Sequence, residues 1–232
     1  MTNMVEVSKS QRTYLPAASY DVFLPFYDLI AKLLGADQAR RTLLEQAPLR
    51  PGDHALDIGC GTGTFATLLK QRHPSVEVIG LDPDPKALAR ARRKAERSGV
   101  SVRFDQGFAD ALPYPAASFS AVFSSFMFHH LEADVREKTL REVGRVLKPG
   151  ATFCLLDFDA SPSGSGHGPF NLIHSSERLR DNSETRILSL MVQAGFSDPK
   201  KIAVQPLLLG FGYAGCYRAS APNGEAEGKR AH

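Results

Sequence analysis

The chain has 232 residues, 43% of them apolar, which suits one α/β domain with a full core. The formal net charge is only +3, with both signs interspersed, so no electrostatic footprint for nucleic acid is expected. No run reaches the about 18 apolar residues of a membrane span, and Met1 to Tyr14 holds no apolar run of signal-peptide length.

Residues 1–13 are polar. From Tyr20 to Leu34, the residues Tyr20, Phe23, Phe26, Tyr27, Ile30, Leu33 and Leu34 recur at helical spacing, with a bend or start near Pro25. This amphipathic helix either packs on the domain or covers a site. A second helix is predicted from Asp37 to Gln46, then a turn at Arg50-Pro51-Gly52-Asp53. The apolar run His54 to Ile58 reads as a strand, and Gly59-Cys60-Gly61-Thr62-Gly63 as a tight turn into a helix from Thr64 to Arg72. Glycines there tolerate positive φ and let a ligand approach the backbone. The helix start offers unpaired N–H groups to an anion.

Further along, a strand from Val76 to Leu81 ends at Asp82. Pro83 to Pro85 is a rigid turn, with Pro85 suited to a first helical position. The next helix, Lys86 to Ser98, presents a basic face (Arg90, Arg93, Lys94, Arg97) read as solvated, and ends at Gly99. Strands follow at Val100 to Phe104, Phe119 to Ser124 and Ala151 to Phe158, with a helix from after Glu132 to Leu147. Alternating strands and helices imply a parallel, doubly wound sheet. Asp159 to Pro169 reads as a long mobile loop, then a helix from Ser183 to Ala194. Lys201 to Leu207 and Gly212 to Arg218 read as a closing antiparallel hairpin. The fold expected is α/β, a mostly parallel seven-stranded sheet with a C-terminal antiparallel hairpin. The expected organisation is a helical lid over residues 1–47, one domain over 48–219 and a disordered tail over 220–232.

Three cysteines in separate motifs form no disulfide framework, and a reduced, cytoplasmic protein is expected, as a monomer or homodimer. Gly61, Gly63 and Ala66 fit a dinucleotide-type fingerprint. Asp82 at the second strand's carboxyl end can accept from ribose hydroxyls, and it argues against a 2′-phosphate.

The run Leu56-Asp57-Ile58-Gly59-Cys60-Gly61-Thr62-Gly63, with Gly80-Leu81-Asp82-Pro83-Asp84, resembles the class I S-adenosylmethionine (SAM)-dependent methyltransferases. Gln106 to Tyr114, Ser118-Phe119, Ser124 to Leu131 and Leu147 to Ala151 resemble the ubiquinone/menaquinone-biosynthesis group of that family. The resemblance implies a Rossmann-like fold, SAM as cofactor and a small-molecule methyl acceptor. It implies that Gly59, Gly61, Thr62 and Gly63 hold the methionine part, and that Asp82 binds the ribose beside Pro83. Asp57 would orient the turn or reach the ammonium through water; it could equally accept from turn N–H groups. The group commonly carries an Asp or Asn where this chain has Phe108. Either Phe108 packs on the adenine, or Asp105 or Asp110 substitutes, with Ala109 contacting through its backbone.

Ser124 and Ser125 end the fourth strand, where open α/β sheets bind ligands. His129 and His130 are candidate catalytic bases, since a histidine near the methyl donor can take a proton from a phenol, enol or amine. No third ligand makes them a metal pair. Tyr20, Phe23 and Tyr27 are candidates for lining the acceptor site, as the resembled group covers its site with an N-terminal helical segment. Asp157, Asp159, His167 and His174 are further acceptor candidates. Cys60, near a helix start, is either a turn residue or a thiol of lowered pKa. The functional expectation is a SAM-dependent methyltransferase acting on a small molecule. The alternatives are a SAM-binding protein without methylation activity and an NAD-dependent oxidoreductase.

Overall fold

The structure, a computed structural model, describes residues 36–159, 182–207 and 213–222. Tyr20, Phe23, Tyr27, His167 and His174 lie outside the described residues. The elements are α1 (Ala36–Leu44), β1 (His54–Ile58), α2 (Thr64–Arg72), β2 (Glu77–Asp82), α3 (Pro85–Arg97), β3 (Arg103–Gln106), β4 (Phe119–Ser125), a 3-10 turn (Phe128–His130), α4 (Ala133–Val146), β5 (Leu147–Asp159), α5 (Glu184–Gln193), β6 (Ser197–Pro206) and β7 (Tyr213–Ser220).

Seven strands form one sheet in the order β3-β2-β1-β4-β5-β7-β6. The first five are parallel; β7 lies between β5 and β6 and runs antiparallel to both. The antiparallel insertion is the departure from a dinucleotide fold that the terminal hairpin predicted. Strand residues alternate between two faces. On β1, Leu56 and Ile58 join the apolar layer under α4 and α5, while Ala55 faces the layer built with α1, α2 and α3. Asp57 alternates with Ile58 and so shares the Ala55 face.

Local chemistry explains the boundaries. Asp84 caps α3 by accepting from the Lys86 N–H at 2.8 Å, with Pro85 behind it in the first turn, a cap worth about 1 kcal/mol. Gly99, at φ +67°, closes the same helix. The Val100 N–H then donates to Ala95 O at 3.1 Å, completing the cap. That bond explains why β3 starts at Arg103 and not at Val100 as expected: the first amide is committed to the helix end.

Other boundaries differ too. β5, expected from Ala151, already opens at Leu147 and takes in Lys148-Pro149-Gly150, and a register shift separates the Phe119–Leu147 pair from Ala121–Thr152. β7 runs past the expected domain end: Ser220 pairs with Thr152 and Ser197, and the Ala221 N–H donates to Ala151 O at 2.7 Å. Residues 220–222 therefore belong to the packed domain and not to a tail. Helix α1, expected within the lid segment, buries Ala36, Ala39, Leu43 and Leu44 against the body of the domain and packs on β5, β6 and β7. Among the described residues, no helix is long and apolar enough to cross a membrane.

Candidate active site

The glycine turn joins β1 to α2, and its three glycines do three different jobs. All have positive φ: Gly59 +65°, Gly61 +52° and Gly63 +74°. A Cβ on Gly59 would sit 2.2 Å from Met127 Cγ, so this glycine lets the segment after β4 pack on the turn. A Cβ on Gly63 would sit 2.7 Å from Ala91 Cβ, so this one lets α2 approach α3. Gly61 has nothing within 4 Å of that position and faces open space.

The open space is a cavity of about 620 Å³, within the usual size for a small-molecule site. Its wall holds Asp57, Gly59, Gly61, Thr62, Asp82, Pro83, Ala109, Asp110, Ser125 and His130. Three other candidates stand apart. Gly63 serves helix packing. Ser124 is fully buried behind the wall, its hydroxyl without a hydrogen-bond partner. His129 is also buried behind it.

Asp82 closes the turn from the neighbouring strand. One carboxylate oxygen accepts from the Gly61 N–H at 2.8 Å, the other from the Asp84 N–H at 2.9 Å. Each oxygen keeps a second lone pair for a diol. Burial raises its carboxyl above the ordinary value, and the two N–H bonds only partly offset this. Thr62 takes a hydrogen bond from Lys94 Nζ at 3.0 Å. One residue of the basic α3 face, expected to be solvated throughout, therefore braces the turn.

Asp57 is only 1% exposed, and neither of its oxygens has a partner in hydrogen-bonding geometry. Burial pushes its carboxyl up to about 8, against the opposing pull of the Arg40 charge and the Ala66 N–H. Arg40 comes from α1, is 7% exposed and lines the same cavity. Sequence reasoning missed it. The available signal was a lone arginine beside Ala36, Ala39, Leu43 and Leu44 on the apolar side of an amphipathic helix.

The adenine question narrows. Asp105 is held by Arg103 at 2.9 Å and by the Tyr114 hydroxyl at 3.0 Å, away from the cavity. Phe108 and Asp110 both line it. Cys60 is buried, and burial pushes its thiol well up, so the helix start does not make it a thiolate.

On the far wall, β4 ends at Ser125 and the chain turns through Phe126, a non-glycine residue at φ +56°. Such strain concentrates where a site is built. His130 reaches the cavity from the 3-10 turn behind it. Its ring packs against that of His129, with centroids 3.9 Å apart and the planes tilted by 41°. His129 is tied to the buried Asp157 of β5 twice, through its N–H at 2.8 Å and its Nδ1 at 2.6 Å. Burial opposes the Asp157 charge, but His129 and two backbone N–H groups outweigh it and lower its carboxyl below the ordinary value. Asp157 is thus a buried support and not an acceptor contact. Among the described residues, no group of three His, Cys, Asp or Glu side chains could hold a metal.

A SAM-sized ligand fits this donor set. Asp82 has free lone pairs for a ribose diol, Asp57 has an unpaired carboxylate for an ammonium, and Gly61 leaves open space where a Cβ would stand.

The comparisons agree. Residues 55–150 match the methyltransferase domain family. A demethylmenaquinone methyltransferase of Thermus thermophilus is 45% identical over 148 residues, covering 61% of this chain and 64% of the relative. The chain thus spans just under two thirds of that protein, as it does of a Deinococcus radiodurans demethylmenaquinone methyltransferase, of which 62% is covered. A Synechocystis protein described as a methyltransferase is 30% identical over 183 residues, covering 75% of this chain and 84% of that one. Among solved structures, Bacillus subtilis YcgJ superposes with a TM-score of 0.64 at 22% identity, covering 81% of this chain and all of that one. The [4+2]-cyclase SpnF superposes at 0.70 and 21% identity, covering 92% of this chain and all of that one. At such identity these likenesses show the fold alone. The sequence matches, the seven-stranded topology and the glycine-turn cavity together place this chain in the class I SAM-dependent methyltransferases, alongside the ubiquinone/menaquinone group.

Proposed function

We propose that the protein methylates a small apolar ring compound bearing an ionisable hydroxyl, with SAM as donor. One observation carries the reading: a single cavity joins the Asp57–Gly61–Asp82 end to a wall of Phe126, Met127 and His130. Bound at the first end, SAM supplies an activated methyl group on its sulfonium. Asp82 holds the ribose diol, and Asp57 pairs with the ammonium. Asp110 and Phe108 flank the adenine, the first as hydrogen-bond partner and the second as packing surface. Ser125 sits between the two ends.

The chain's remaining task is alignment, exclusion of water and removal of one proton. Phe126 and Met127 supply an apolar surface for a ring. His130 takes the hydroxyl proton of the acceptor, since its ring is at the cavity and that of His129 is not. His129 acts behind it as a positioning residue, clamped by Asp157. The names of the Thermus and Deinococcus relatives support a quinol-type acceptor, because a reduced quinone is an apolar ring with ionisable hydroxyls. Cytoplasmic location and a monomeric or dimeric state accompany this reading.

The test pairs binding with turnover. Calorimetry with S-adenosylhomocysteine should show binding that Asp82→Ala removes. Mass spectrometry should then find a methyl group added to a reduced prenylated naphthoquinone. His130→Ala should cut that turnover about 100-fold or more while leaving S-adenosylhomocysteine binding intact. Binding without transfer to any quinol or phenol would overturn the acceptor class.

A further inference from the structure

We propose that Arg136 is the positioning residue of the base, holding the turn that carries His130 by the carbonyls of the residues on either side of it. The proposal rests on His130 being the group that takes the acceptor's proton, and it adds a residue that stands behind the cavity wall.

The 3-10 turn is a weak element on which to place a base. It is three residues long, and such turns have poor hydrogen-bond geometry. Its own bonds run from the His130 N–H to Met127 O at 2.9 Å and from the Leu131 N–H to Phe128 O at 3.1 Å. The carbonyls of His129 and Leu131 lie at its exit, where a longer helix would supply N–H groups. Arg136 reaches both instead. Its Nε donates to Leu131 O at 3.0 Å, and its Nη2 approaches His129 O at 3.5 Å. Asp157 of β5 already takes the His129 N–H at 2.8 Å. Residue 129 is thus gripped at both of its backbone groups, and His130 follows at once.

Arg136 is placed against its own preferences. It is 2% exposed, and burying a guanidinium is unfavourable unless its hydrogen bonds are made. It sits in the first turn of α4, where the helix dipole disfavours a cation. Its guanidinium lies 5.4 Å from the ring centroid of the fully buried Phe128, so the first residue of the turn orients the fork. What the arginine adds is direction, because a planar fork of donors can meet two carbonyls at once. A reacting group displaced by about 1 Å can lose about 100-fold in rate, so that direction bears on turnover.

The experiment is a double-mutant cycle read in turnover. Methyl transfer to a reduced prenylated naphthoquinone is measured for the wild type, Arg136→Gln, His130→Ala and the double variant. Arg136→Gln should lower kcat by about ten- to hundredfold, with the acceptor KM and the S-adenosylhomocysteine affinity within about threefold of wild type. In the His130→Ala background the same change should cost about threefold or less, because the base it positions is gone. Equal losses of kcat in the two backgrounds overturn the assignment and mark Arg136 as a structural residue. An unchanged kcat overturns it too, as does a loss carried by KM or by S-adenosylhomocysteine affinity. Should Arg136→Gln fail to fold, Arg136→Lys keeps the charge, loses the fork and goes through the same cycle; its smaller loss should again be confined to protein that carries His130. Unimpaired turnover by His130→Ala, or none by the wild type, sinks the base reading itself, and the role of Arg136 falls with it.

Discussion

Asp57 and Asp157 are buried carboxylates near the carboxyl ends of two parallel strands, β1 and β5, with β4 between them, and they are handled in opposite ways. Asp157 accepts from the His129 N–H, the His129 ring and the Phe158 N–H, and its carboxyl is held below the ordinary value. Asp57 has no partner in good hydrogen-bonding geometry, only a weak pull from the Ala66 N–H, and burial pushes its carboxyl up to about 8. The first carboxylate is finished by the fold. The second is left unfinished, and the fold bears a cost that a ligand can relieve.

The sharpest way to break this contrast is to remove the finished acid. Asp157→Ala strands two backbone N–H groups and an imidazole, and should destabilise the protein by about 3–5 kcal/mol in urea unfolding. It should also disturb His130 through the ring contact with His129. Next in size, Asp57→Asn should weaken S-adenosylhomocysteine binding by roughly ten- to hundredfold in calorimetry, because a charge-assisted partner is lost.

The two acids also predict opposite pH slopes. Asp57 keeps its proton in the free protein up to about pH 8 and must lose it to pair with an ammonium. Affinity for S-adenosylhomocysteine should therefore rise from pH 6 to pH 8, by at most about tenfold per unit, and the Asp57→Asn variant should flatten the slope.

For stability, the raised Asp57 value favours the fold most below the ordinary 3.8, and that advantage is lost as pH rises towards 8. Asp157 has a lowered value, so its contribution is present above 3.8 and is lost as acid titrates it. The smallest effect follows: at pH 8, ligand-free Asp57→Asn should be more stable than wild type by about 1 kcal/mol. Equal stability there would mean that the wild-type carboxylate is already satisfied.

The glycine turn, the Asp84-Pro85 helix start and Gly99 could be read from residues, because each depends on neighbours in sequence. Parity was harder. Ser124 and Ser125, or His129 and His130, are adjacent, and only one of each pair reaches the cavity. Which one does so depends on the face that α1 to α3 cover, and that is a tertiary fact. Arg40 escaped for the same reason: on its own helix it looks like a solvated charge, and only packing on β5, β6 and β7 turns it inward. Gly63 matched the ligand motif, but its missing Cβ makes room for Ala91. The start of β3 was misread because a helix cap competed for the Val100 amide. The long alternation of strands and helices was legible because it needs only hydrophobic period.

Gly59 is wedged by Met127 and Gly63 by Ala91, which leaves Gly61 as the one glycine of the turn with space before it. Position 61 is therefore a steric dial. An asparagine there tolerates the left-handed backbone and places its Cβ where nothing lies within 4 Å. Such a variant would keep the fold while narrowing the door to the natural donor. Donors trimmed on the side facing position 61 would still pass, and the enzyme could be assigned a private methyl source.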